Sequence, residues 1–198
     1  MAVTFEHDIY TGRKQAFWRG EAKILPGGFK VENRISIGTV IKRAAFIQVN
    51  FDTMTSGIVK VGKVLTGGTT TKPRVAKDNY FEIGDKLFKV GADTRATITD
   101  IDRSNDAYDV ITLSAAYTGL TAGDFLVECT ADGAVAQRYT PNCVVGADKE
   151  WKKQGSEAVD AAYEVLVIKD NVPAFPTEWI AEGGFHLTTN PNIRFIKQ

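Results

Sequence analysis

Asp100, Asp102, Ser104 and Asp106 set four oxygen-bearing side chains at alternating positions, the spacing with which a calcium loop begins. Such a loop needs glycine at its sixth position and a bidentate glutamate at its twelfth. Asn105 and Ile111 stand there instead, so the coordination shell is incomplete and a polar hairpin turn is expected. The run Gly67–Lys72, GGTTTK, has the glycines and lysine of a phosphate loop, but Pro73 follows where Ser or Thr must bind the magnesium ion. It reads as a flexible loop.

Nucleophilic catalysis has few candidates. His7 and His186 are the two histidines, Cys129 and Cys143 the two cysteines, and no G-x-S-x-G elbow occurs. His186, in the strand-like FHLTT, is expected to be structural. The cysteines lie outside any CxxC spacing and are expected to be small buried hydrophobes, although a disulfide between them is conceivable. With 24 acidic residues some carboxylate pair always exists at glycosidase separation, so their number carries no evidence for that reaction. Trp18, Trp151 and Trp179 suit core edges or interfaces better than sugar platforms. Arg34, Lys42 and Arg43 lack the interleaved aromatics of a single-strand binder. The expectation is no catalytic residue, no metal and no cofactor.

These residues sit in a chain of 198 with 43% hydrophobic and 24% charged residues, ordinary for a globular domain. Lys plus Arg balance Asp plus Glu at 24 each, so no net field gathers nucleic acid or anionic membrane. MAVTFEHDIYTGRK lacks the plan of a signal peptide, and no apolar run approaches the roughly 20 residues that span a bilayer. Synthesis in the cytoplasm, without nucleic-acid or membrane partners, is expected.

Period-two alternation marks strands at Ile35, Ile37, Thr39 and Ile41, at Ala45–Phe51, at Phe125–Cys129, at Tyr163–Val167 and at Ile193–Phe195. FEIGDKLFKV and LTAGDFLVEC each carry Gly-Asp between apolar residues, a tight turn opening a strand in which Gly supplies backbone freedom and Asp the local bonds. They bracket a hairpin that turns at Ser104–Asp106. The fold class is therefore all-β: a small barrel or sandwich, with a barrel at about residues 60–140, an N-terminal extension and at most one or two short helices. Residues 1–56 form an N-terminal arm and strands, and residues 57–198 a barrel domain ending in a helix and strand, or the two are one continuous domain. Ile83, Leu87, Ile98, Ile111, Leu113 and Leu126 should share the barrel core. SEAVDAAYEVL fits a helix capped by Ser156 or, from Tyr163, a strand; Thr177–Glu182 fits a short helix capped by Thr177 and stopped by Gly183-Gly184.

The segments GIVKVGKVLTGGTTTKPRVAKDNYFEIGD and ITDIDRSNDAYDVITLSAAYTGLTAGDFL resemble head fibre and head decoration proteins of tailed bacteriophages, and VPAFPTEWIAEGGFHLTTNPNIRFI is similar to their carboxy-terminal part. The resemblance implies a virion protein on the capsid surface, bound to the major capsid protein, oligomeric and without chemistry of its own. The alternatives are a β module that binds carbohydrate or a host surface, and a hydrolase using carboxylates. Phe17 and Trp18 are the candidate interface residues: residues 1–34 either exchange with a neighbouring copy through sheet edges or fold back on their own barrel.

Stripping metal with a chelator should leave the melting temperature unchanged. A fall of many degrees would mean that the 100–106 loop holds a cation after all, because a ligand bound only by the native state stabilises it by mass action.

Overall fold

The computed structural model describes residues 17–153 and 157–197, so His7 and Ser156 lie outside it. Its strands are β1 (Trp18–Val31), β2 (Val40–Ile41), β3 (Phe46–Asn50), β4 (Thr55–Ile58), β5 (Val61–Leu65), β6 (Arg74–Ala76) and β7 (Lys86–Lys89). There follow β8 (Arg95–Asp102), β9 (Tyr108–Leu113), β10 (Phe125–Glu128), β11 (Cys143–Val145), β12 (Lys149–Glu150), β13 (Ala158–Ile168) and β14 (Ile193–Ile196). The fold is all-β, and its only helical segments among the described residues are two single 3-10 turns, Lys169–Asn171 and Thr177–Trp179.

The alternating apolar residues close into two rings. In the first, β1 pairs with β13 and with β4, β4 with β3, β3 with β11, and β11 with β13, which returns the pairing to its start. In the second, β10, β5, β6, β9, β8 and β7 form a closed barrel. β14 lies parallel to the far half of β13, and β2 pairs with β12 in a short ribbon. The first ring takes strands from both sides of residue 56, and the boundary drawn there falls inside β4. β1 belongs to that ring, folded onto β13 of its own chain through pairs such as Trp18 with Val167. Among the described residues, ring closure leaves the strands of the two rings without open edges, while the short β2–β12 ribbon keeps its own. The outer side of β14 is covered as well, by the Phe195 N–H to Phe185 carbonyl bond and the Leu187 N–H to Ile193 carbonyl bond.

Three cores follow from strand parity. Ala45, Ile47 and Val49 of the β3 segment, Cys143 and Val145 of β11, and Val159 and Ala161 of β13 fill the first ring, where Trp151 is also buried. The opposite parity, Phe46 and Val144, faces outward, where Phe175, Trp179 and Phe195 cover it with ring centroids 4.8–6.1 Å from Phe46. The second ring is filled by side chains that include Phe81, Leu87, Ile98, Ile111, Tyr117 and Leu126.

Five of the six expected barrel-core residues are buried in that last cluster; Ile83 is 52% exposed. It sits inside the turn that Glu82 and Asp85 close with mutual hydrogen bonds, so its side chain leaves the barrel. The run from Ile35 to Ile41 is likewise no continuous strand. Ser36 gives its N–H and hydroxyl to the Glu82 carboxylate, Gly38 turns at φ 89°, and Ile37 ends up 67% exposed. The helical spacing of SEAVDAAYEVL yields to pairing: β13 bonds to β1, β11 and β14, a gain no isolated helix offers. Thr177 opens a single 3-10 turn with Pro176 at its N-cap, shorter than the helix expected through Glu182.

Ile111→Ala should cost about 2–5 kcal/mol in urea unfolding, because a fully buried side chain leaves a cavity, while Ile83→Ala should change stability by less than about 0.5 kcal/mol. Equal losses at the two positions would contradict the placement of the barrel interior.

Candidate functional site at the junction of the two rings

The chain passes from the first ring to the second between β4 and β5, and back between β10 and β11. The two crossings run side by side: Val61 pairs with Val127, and the Glu128 N–H donates to the Lys60 carbonyl at 3.1 Å. Residues opposed across antiparallel strands share a face, so the Lys60 and Glu128 side chains lie together. Lys60 Nζ bonds Asp85 Oδ2 at 2.6 Å, and Arg138 Nη1 bonds Glu128 Oε1 at 2.6 Å. The Lys60 side chain is wholly buried, with Asp85 9% and Glu128 3% exposed. Glu128 Oε2 is buried with no hydrogen-bond partner. Burial pushes the Glu128 carboxyl above the usual carboxylate range; Lys60 and Arg138 pull the other way, and the charge of Asp85 adds to the rise.

Asp85 reaches this place through its Gly-Asp turn. Gly84 adopts φ 94°, open to glycine, and the Asp85 carboxylate accepts the Glu82 N–H at 2.8 Å while the Asp85 N–H donates to the Glu82 carbonyl. The second Gly-Asp turn repeats the design. Gly123 stands at φ 101°, Asp124 accepts the Thr121 N–H at 2.8 Å, and Lys89 Nζ lies 3.0 Å from its carboxylate. Burial raises the Asp124 carboxyl, but the Thr121 N–H and Lys89 outweigh it, so the net shift is downward. That pair is far more open to solvent, at 21% and 25% exposure.

A further tie joins the rings at Asp78–Glu82. Asp78 and Tyr80 both adopt positive φ, 62° and 59°, and consecutive aromatics then enter different cores, Tyr80 the first ring and Phe81 the second. The Tyr80 hydroxyl accepts the Lys42 N–H at 3.0 Å, and burial drives its acidity well below that of a free tyrosine. Lys42 pairs with Asp78 at 2.7 Å, and the buried Asp109 carboxylate takes Lys77 at 2.6 Å and Asn79 at 2.8 Å.

The residues singled out by chemistry do not converge. Asp102 and Asn105 accept the N–H groups of Ser104 and Ala107 and so cap the hairpin turn. Asp102 is held below the usual carboxylate range by its bonds from Ser104. The GGTTTK loop closes on itself through the Thr69 N–H to Lys72 carbonyl bond and the Lys72 N–H to Thr69 hydroxyl bond. Cys129 and Cys143 are free and buried, and burial pushes the Cys143 thiol up to about 12. His186 Nδ1 meets the Leu187 carbonyl at 2.9 Å, and the residue bridges to Arg194. Trp151 and Trp179 are buried. Phe17 and Trp18 are half-buried; the Phe17 carbonyl accepts the Ile168 N–H, and the Arg43 guanidinium lies 5.1 Å from the centre of the Trp18 ring. Among the described residues no group of three or more His, Cys, Asp or Glu is placed to hold a metal ion.

A polar groove of about 200 Å³ runs beside the junction, lined by residues including Glu32, Gln48, Asn50, Arg138 and Tyr139. Tyr139 is half-buried in it. One face of its ring lies on Gly57, where a Cβ would stand 2.2 Å from the ring, and Arg138 lies 5.3 Å from its centroid.

Lys60, Glu128 and Arg138 escaped the reading of the sequence. Their signal is a single charge inside an apolar run, IVKV for Lys60 and FLVEC for Glu128. Charges almost never occupy fully buried strands unless paired, so each such charge implies a partner elsewhere. No protein-family profile, no curated protein and no solved structure matches the chain.

The Glu128 carboxyl has a pKa raised above its ordinary 4.5, so the folded state holds a proton that the unfolded state has already released. From about that pH upward, stability should fall as the pH rises through the folded-state pKa, then level off. Glu128→Gln should flatten this part of the curve in chemical denaturation between acidic and neutral pH. A wild-type advantage over the variant that grows with pH would show Arg138 holding the carboxylate ionised, the opposite of the assignment.

Proposed function

We propose that this chain is a structural virion protein, a capsid decoration or head fibre protein bound to the outer surface of a tailed-phage capsid shell, and that its copies associate there. The observation that carries this reading is that side chains fill both rings, which leaves the outer surface to do the binding. That surface keeps large apolar side chains in solvent, among them Ile37, Phe51, Met54, Ile83 and Phe185. The resemblance of residues 57–85 and 98–126 to head fibre and decoration proteins supplies the capsid, and the major capsid protein is the proposed partner. Zero formal net charge does not oppose packing of copies on a shell.

A carbohydrate-binding module is the second reading, and it has less support. The groove beside the junction offers amide and hydroxyl groups, but its one aromatic ring is already in contact with Gly57 and Arg138.

The test is co-sedimentation of purified protein with empty shells of the phage whose genome carries the gene, beside sedimentation of the protein alone. Saturable binding in a fixed ratio to the shell protein is expected, weakened by Ile37→Asp or Ile83→Asp. Absence of binding, together with specific retention on immobilised glycans, would overturn the decoration reading in favour of the carbohydrate module.

A further inference from the structure

We propose that Lys60 and Asp85 form an intramolecular isopeptide bond in the mature protein, with Glu128 as the proton carrier for its formation. The arrangement has the three parts such a self-condensation needs. The first is a nucleophile and an electrophile already in contact: Nζ lies 2.6 Å from Asp85 Oδ2, which sets the nitrogen at roughly the 3–3.5 Å from the carboxyl carbon that near-attack pairs adopt. The second is exclusion of water. Lys60 is wholly buried and Asp85 nearly so, which keeps water from reversing the reaction. The third is an adjacent acid. Glu128 lies directly across the strand pair from Lys60 and has one buried oxygen without a partner. Its burial favours the protonated carboxyl that can donate a hydrogen bond to the Asp85 carbonyl oxygen.

The reaction balances without an oxidant or co-reactant. The ammonium of Lys60 passes a proton to the Asp85 carboxylate, leaving an amine and a carboxylic acid. The amine attacks Asp85 Cγ while Glu128 protonates the carbonyl oxygen; Glu128 then moves a proton from nitrogen to the departing hydroxyl and, as the tetrahedral centre collapses, takes back the proton it gave to the carbonyl oxygen. One Nζ–Cγ bond forms, one Cγ–O bond breaks, and the oxygen leaves as water with two of the three ammonium protons. The product ties the crossing between β4 and β5 to the turn that opens β7.

The molecule carries its own control. Lys89 and Asp124 repeat the Gly-Asp turn and its lysine, but both are partly open to water, and the carboxylate is held below its usual range. That pair should remain an ion pair.

The experiment is intact-mass measurement of the denatured full-length protein, followed by protease digestion and tandem mass spectrometry. A deficit of one water is expected, carried by a branched peptide that joins the segments containing Lys60 and Asp85. Asp85→Asn should give the same branched peptide by losing ammonia. Glu128→Gln should leave most chains at the full sequence mass while far-ultraviolet circular dichroism still reports the β fold. A wild-type protein whose Lys60 and Asp85 peptides are recovered separately overturns the proposal. So does a water deficit that maps to Asp132-Gly133, where succinimide formation would remove the same mass. Complete joining in Glu128→Gln overturns the role given to Glu128. Each result is read on the isolated chain and is independent of whether it binds a capsid.

Discussion

Everything else in this molecule leans on the antiparallel contact between β5 and β10. It is one stretch of backbone pairing, Lys63 to Phe125 through Val61 to Val127, yet it closes the second ring and brings both crossings to the same place. Because the crossings are adjacent, their side chains are shut between two filled barrels where little water reaches. Any charge placed there must find its counter-charge inside the protein. Lys60 takes Asp85 and Glu128 takes Arg138, each from a different segment. In the unjoined chain, removing Asp85 would leave the Lys60 ammonium buried without its counter-charge, a loss of about 3–5 kcal/mol, whereas replacing both by matched apolar groups need cost nothing. The network is thus better understood as fixing how the rings meet than as a source of net stability.

The two Gly-Asp turns show one local device put to different ends. In both, a glycine at positive φ lets the aspartate carboxylate reach back to the N–H three residues earlier, and in both a lysine completes the site. The turn chemistry is identical; the solvent exposure is not. At Asp124 water screens the pair, whereas at Asp85 the neighbouring crossing excludes it. The same local sequence therefore yields a surface ion pair in one place and a buried, reactive contact in the other.

The first ring has a different problem, since its outer face is apolar at Phe46 and Val144. The segment after β13 solves it by folding Phe175 and Trp179 over that face and returning as β14, parallel to β13. Val159 and Ala161 lie in the interior core while Val165 and Val167, of the same parity, lie in the outer one. The irregular register of β1 against β13 between Arg19 and Ile24 accounts for the switch.

Much of this was written in the chain itself. Alternation at Ala45–Val49 and Phe125–Cys129, the hairpin around Ser104–Asp106 and the two Gly-Asp turns are local properties, set by side-chain period and by which residues tolerate positive φ. They were enough for an all-β fold with a barrel in the middle, and five of six barrel-core residues followed from them. What tertiary structure alone decided is whatever depends on distant partners. SEAVDAAYEVL suits helix and strand alike, and β1, β11 and β14 chose strand for it. Ile37 and Ile83 share the pattern of buried residues, but the bonds between Ser36 and Glu82, and between Glu82 and Asp85, turned both outward. Closure of the first ring joins residues near position 20 to residues near 165, a pairing no local period encodes. For the same reason Lys60 and Glu128 looked like isolated charges, since the contact that gives them meaning spans the whole second ring.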